Sequence, residues 1–211
     1  MKKRWPALLV IAAMWAFALA IYPRLPERIP THWNLHGEVD GWGGRGAAFL
    51  FPAIGTCFAL LMAVLPRIDP RRANWEKFRE ELWVMVNVIL LFMAWTEAVT
   101  LGAALGWRVD TGRAVLGGVG VLLVMIGNYL PRIRSNWFIG IRTPWTLSSD
   151  KVWDKTHRLG AVLFMISGVL AFIGAFFGGA TAFWLFFAPL MGSASFLVVY
   201  SYVLYKQETK A

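Results

Sequence analysis

Charged side chains fall in clusters along this chain, and long apolar stretches run between the clusters. Six stretches, at about 5–22, 47–65, 82–105, 114–130, 159–178 and 181–204, carry almost no ionisable group. A helix of about 20 apolar residues spans the hydrocarbon core of a bilayer, so each stretch predicts a transmembrane helix. A surface helix of a soluble protein would place charges on one face of every turn, and none of the six does. Together they occupy more than half of the 211 residues and leave no room for a separate soluble domain. The expected fold class is all-α: one membrane domain over 1–211, built as a bundle of six transmembrane helices.

Composition supports this. The chain is 58% hydrophobic and 16% charged, with a mean hydropathy of +0.55. Soluble domains run at about 45–50% and about 25%. The formal charge of +9 becomes informative once it is placed along the chain. Sixteen of the 21 Lys and Arg residues fall in the N-terminus, the second and fourth loops and the C-terminus; five fall in the other loops. Cytoplasmic loops carry the excess of basic residues, so both termini are expected in the cytoplasm. Basic residues beside a membrane also attract anionic lipid, at about 1 kcal/mol each. The charge therefore calls for no direct contact with nucleic acid. Met1-Lys2-Lys3-Arg4, the apolar run and Ala18-Leu19-Ala20 also have the outline of a cleavable leader, but the run is long enough to stay as an anchor. On either reading the loop that follows lies outside.

Two loops are long enough to hold function. The outer one covers 22–46. Pro23, Pro26 and Pro30 predict an extended first half, and turn formers mixed with aromatics follow. Trp33 and Trp42 are expected at headgroup depth, where an indole has apolar contact and a wet N–H. With His32, His36 and Asp40 they are the outer-loop candidates for binding a ligand. The two histidines with Glu38 and Asp40 offer metal-capable atoms, but the i,i+4 spacing binds zinc only on a helix, which Gly37 and Pro30 disfavour. No metal and no cofactor is expected.

The cytoplasmic loop covers 131–158, where large aromatics alternate with basic residues. Arg132, Arg134, Trp137, Arg142, Trp145 and Trp153 are the candidates for a surface that meets lipid or a protein partner. Ser148 and Ser149 predict a capped helix from about 150 that runs into the fifth span. Val152, Trp153 and Thr156 share one face of it, while Asp154 and Arg158 can pair at i,i+4. Leu-Pro-Arg-Ile occurs at 65–68 and again at 130–133, each followed by Asn-Trp. It reads as a stop signal at two cytoplasmic helix ends.

Glu97 is the only acidic residue well inside a stretch. An ionised carboxylate at a helix centre costs about 2.5–3.5 kcal/mol on insertion scales, so a functional role is the default expectation. Asn87, Thr96 and Thr100 are the polar candidates around it. A small-molecule or proton-coupled transporter centred on Glu97 is thus one reading. Cys57 is expected to be a packing residue, and Gly174 with Gly178 a GxxxG packing stripe. The chain contains no P-loop, Rossmann fingerprint, HExxH or GxSxG, and no enzyme is expected.

The run NYLPRIRSNWFIGIRTPWTLSSDKVWDKTHR, residues 128–158, closely resembles the signature of the SdpI family of bacterial membrane immunity proteins. The outer segment YPRLPERIPTHWNLHGEVDGWG, residues 22–43, is similar to the module of unknown function that accompanies it. The resemblance implies a multi-pass protein of the bacterial cell membrane that protects against a secreted antimicrobial peptide toxin. It also implies a signalling role, in which a cytosolic transcriptional repressor is held at the membrane.

Overall fold

The computed structural model describes residues 4–34 and 37–210. Lys2 and Lys3 of the basic N-terminus and His36 of the outer loop lie outside them. The chain runs α1 (Trp5–Ile21), a hairpin of β1 (Arg28–Trp33) and β2 (Val39–Gly44), then α2 (Leu50–Ile68) and the short α3 (Arg72–Trp75). There follow α4 (Arg79–Ala104), α5 (Thr111–Tyr129), the short α6 (Pro144–Ser148), α7 (Asp150–Phe177) and α8 (Gly179–Lys210). Among the described residues six helices are long and apolar enough to cross a membrane. The protein is an all-α polytopic membrane bundle with one small hairpin at one end. Its outer surface is Leu, Val, Ile and Phe, such as Leu60, Val121, Ile166, Phe176 and Val199, as a surface solvated by lipid requires.

Small residues decide which helices touch. On α7, Ala161, Gly168 and Ala175 recur every seventh residue and face the glycines of α5. A Cβ on Gly120 would stand 2.7 Å from the Gly168 carbonyl oxygen, and one on Gly127 would stand 2.8 Å from that of Ala161. Backbones that close leave no space for a methyl group, and dispersion between them replaces the hydrophobic drive that lipid removes. The neighbouring face of α7 carries Gly160, Ser167 and Gly174 against α8, where Ser167 and Ser193 stand 3.4 Å apart. Gly174 thus packs within the chain as expected. Gly178 does not: it ends α7 with φ +72°, a conformation that suits glycine, and starts the turn into α8.

The bundle has two different ends. At the hairpin end, β1 and β2 pair antiparallel, with Arg28 opposite Gly44 and Trp33 opposite Val39. Leu25 and Ile29 drop from this segment into a small core with Ile21, Ala48 and Leu101. The extended first half is therefore found from Leu25 onward, although Tyr22–Arg24 forms a 3-10 turn where extension was expected. At the other end lie α3, α6 and the segment 130–149, called here the signature end. The helix expected from about 150 is the start of α7. Ser149 caps it by accepting the Val152 N–H at 3.2 Å, and Asp154 pairs with Arg158 at 3.0 Å. Cys57, expected to pack, is exposed on α2.

Candidate functional site

The signature end is built from the two Leu-Pro-Arg-Ile repeats. After the first, α2 stops and Asp69 turns back into the protein, where it is 2% exposed. Its carboxylate accepts from the Arg71 N–H at 2.7 Å, the Trp75 indole at 2.8 Å and the Trp137 N–H at 3.0 Å. The last of these belongs to the loop after the second repeat. Asn74 donates to the Ser135 carbonyl at 2.8 Å, and the Arg71 guanidinium reaches Ser135 Oγ and the Leu147 carbonyl. The two repeats are thus locked together by largely shielded hydrogen bonds, and those of Asp69 and Arg71 are charge-assisted, the stronger kind.

Inside the lock, Asn136 is fully buried and uses its whole bonding capacity. Its Oδ1 accepts from the N–H groups of Phe138 and Ile139, and its Nδ2 donates to the carbonyls of Arg134 and Ile139. His157, also fully buried, accepts the Ile141 N–H on Nε2 at 3.0 Å, while Nδ1 lies 2.8 Å from the Trp153 carbonyl. An N–H facing Nε2 and a carbonyl facing Nδ1 assign the proton to Nδ1 and a neutral ring. Gly140 sits over this ring with φ +110°, and a Cβ there would be 2.5 Å from Nε2. Thr143 caps α6 reciprocally with Thr146, and its hydroxyl meets Ser201 of α8 at 3.0 Å. The segment is a fixed piece of the bundle.

This framework carries the sequence candidates in different ways. Trp137 is 48% exposed, and Arg142 donates to its carbonyl at 2.9 Å. Arg134 is exposed and lies 3.9 Å from Asp154; Arg132 stands over the Tyr129 ring. Trp145 is half-buried against Tyr202. Trp153 corrects its expectation as a surface residue: it is buried, donates its indole N–H to the Ile133 carbonyl at 2.8 Å and stacks on His157. Sequence reasoning missed Asp69, Arg71, Asn74, Asn136 and His157. The repeated motif with its trailing Asn-Trp was the available signal.

At the hairpin end, His32 Nδ1 lies 2.5 Å from Asp40 Oδ1, and both side chains are open to solvent. Trp42 is exposed and Trp33 half-buried. Among the described residues no three His, Cys, Asp or Glu groups converge as metal ligands. Below the hairpin is a cavity of about 430 Å³ whose wall includes Ile29, His32, Trp33, Thr96, Thr100 and Val115. Glu97 is 1% exposed on α4, and its Oε1 meets no hydrogen-bond partner among the described residues. It stands seven residues before the end of α4, on the hairpin side of the helix midpoint. Asn87 lies ten residues below it, about 15 Å along the helix, so the two are not brought together.

Comparisons with known proteins agree with this division. Residues 132–201 match the SdpI/YfhL protein family, and residues 9–56 match a domain of unknown function (DUF1648). The chain is similar to the Immunity protein SdpI of Bacillus subtilis (strain 168), with 25% identity over 179 residues, which is 85% of this chain and 84% of that protein. It is also 31% identical over 61 residues to an uncharacterized protein of Archaeoglobus fulgidus, covering 29% of this chain and 33% of that one. No solved structure matches it. Most of the segment 130–149, together with α7 and most of α8, thus lies in the part of the chain that matches the SdpI/YfhL protein family.

Proposed function

We propose that the protein is an immunity protein of the bacterial cell membrane, with both termini and the signature end in the cytoplasm. On this reading it shields the cell from a secreted, membrane-active antimicrobial peptide and passes that encounter to a cytosolic transcriptional repressor. The observation that carries it is the similarity to Immunity protein SdpI, which extends over 85% of the chain and so reaches into both ends of the bundle. The hydrophobic peptide would meet the hairpin end, where His32, Trp33, Asp40 and Trp42 stand above the apolar cavity. The repressor would meet Arg134, Trp137 and Arg142, which the buried lock supports from below. Arg132 and the remaining basic residues of that end would hold anionic lipid. No catalytic step, cofactor or direct nucleic-acid contact is assigned.

The test is survival of cells challenged with the culture fluid of a strain that secretes such a peptide, with and without this chain. Protection that depends on the chain is the expected result, and equal killing would sink the reading. Orientation is tested separately by single cysteines at Asp40 and Trp145 in a Cys57→Ser background. The first should react from outside and the second only after permeabilisation; reaction of both from one side would reverse the assignment. A second reading, a small-molecule or proton-coupled transporter, is favoured by one observation, the buried Glu97 carboxyl with an unpartnered oxygen. Proton flux in vesicles that Glu97→Gln abolishes would select it.

A further inference from the structure

From the hairpin end downward, α4, α5 and α7 leave a groove of about 840 Å³ open to the side. Its floor is Ala114, Gly117 and Gly118 of α5, and its walls include Trp95, Val121 and Phe172. The Trp95 indole N–H is already spent on the Ala114 carbonyl at 2.9 Å, so that wall offers only ring surface. Along α5 the lining runs from Arg113 to Met125, about 18 Å of helix. One leaflet contributes about 15 Å of a hydrocarbon core about 30 Å thick. The groove is therefore as long as one leaflet is deep.

Charge appears only at the mouth. Asp110 caps α5 and pairs with Arg113, Oδ2 to Nε at 3.0 Å, and both side chains are about half exposed. Arg113 Nη2 reaches the Phe177 carbonyl only at 3.5 Å, and the side chain is half exposed. One edge of the guanidinium thus remains open beside an open carboxylate. Opposite charges side by side at the aqueous boundary, above a dry slot one leaflet deep, match a headgroup that itself carries both signs.

We propose that this groove holds one zwitterionic phospholipid of the hairpin-side leaflet. An acyl chain lies along Ala114, Gly117, Gly118 and Val121, the phosphate sits on the open edge of Arg113 and the primary ammonium faces Asp110. A phosphate without an ammonium would stand uncompensated beside Asp110, so an anionic lipid fits less well. The inference is independent of any immunity activity, because it concerns lipid retention by the purified chain.

The experiment reconstitutes the full chain in nanodiscs of equal phosphatidylethanolamine and phosphatidylglycerol, then counts retained lipids by native mass spectrometry. Val121→Trp and Gly117→Val fill the groove, Arg113→Gln removes the phosphate contact, and Val162→Trp adds the same bulk at an exposed α7 position outside the groove. Thermal unfolding of each variant is measured alongside. The unchanged protein and Val162→Trp should retain one phosphatidylethanolamine per chain. The filling variants should lose it by about tenfold, and Arg113→Gln should lose the headgroup preference. No phosphatidylethanolamine retained by the unchanged protein, or phosphatidylethanolamine that survives both filling variants, would overturn the proposal. So would an added membrane-active peptide that binds the same groove in place of lipid and is blocked by Val121→Trp.

Discussion

The two ends of this bundle treat polar groups in opposite ways. At the signature end they are buried and almost fully paired: Asp69 accepts three donors, Asn136 makes four bonds and His157 uses both ring nitrogens. At the hairpin end the polar pairs, His32 with Asp40 and Asp110 with Arg113, lie in the open, and the spaces beneath them are apolar. A buried, satisfied polar network specifies one arrangement, because each alternative strands a donor or an acceptor. Open pairs above apolar spaces do not, since water replaces either partner. One end holds a shape, and the other leaves apolar space unfilled.

Breaking the lock should therefore have the largest effect. Asp69→Ala leaves the Trp75 indole and two backbone N–H groups without their acceptor, in a place water does not reach. The expected loss is about 3 kcal/mol, read as a lower midpoint of thermal unfolding in nanodiscs. Gly140→Ala should cost about 2 kcal/mol or more, because the residue needs φ +110° and its Cβ would press on His157. A hairpin variant that matched either loss would erase the contrast between the ends. The counterpart, His32→Ala, removes an exposed pair and should shift stability by about 0.5 kcal/mol or less.

These expectations also show where sequence patterning stops. Hydropathy located all six spans because a membrane core imposes its demand on every residue of a segment, and a local average detects it. The cap at Ser149 and the Asp154–Arg158 pair were legible for the same reason: their partners lie within four residues. The lock was not, since Arg71 bonds Leu147 across 76 positions and Asp69 bonds Trp137 across 68. A repeat that reads locally as two stop signals is in space one joint. The hairpin was missed because Pro30 and three glycines of β2 blur the alternation that marks strands, and a pairing register exists only between two segments. Trp153 was placed on the surface by its basic neighbours, yet its indole has a specific acceptor inside.

A surface variant sharpens the contrast from the signature side. Arg134→Gln with Arg142→Gln removes two exposed cations that rest on the lock and are not part of it. Stability should change by less than about 1 kcal/mol, since exposed ion pairs contribute little. Recruitment of the repressor to membranes should fall while peptide protection persists. Loss of folding instead would make this surface an anchor for α7 and nothing more.

Glu97 belongs to neither pattern. It is buried like the signature residues, yet one oxygen lacks a partner, as at no other buried acidic residue among those described. Glu97→Gln keeps the volume and supplies an amide that can both donate and accept, so the bundle should fold with a shift of under about 1 kcal/mol. If the carboxyl serves function, protection or proton flux should still fall in this variant although the fold is intact. Full activity in Glu97→Gln would make the residue a packing element. The orphan oxygen would then be a structural cost borne by the helix interface, and the hairpin end would bind through its apolar spaces alone.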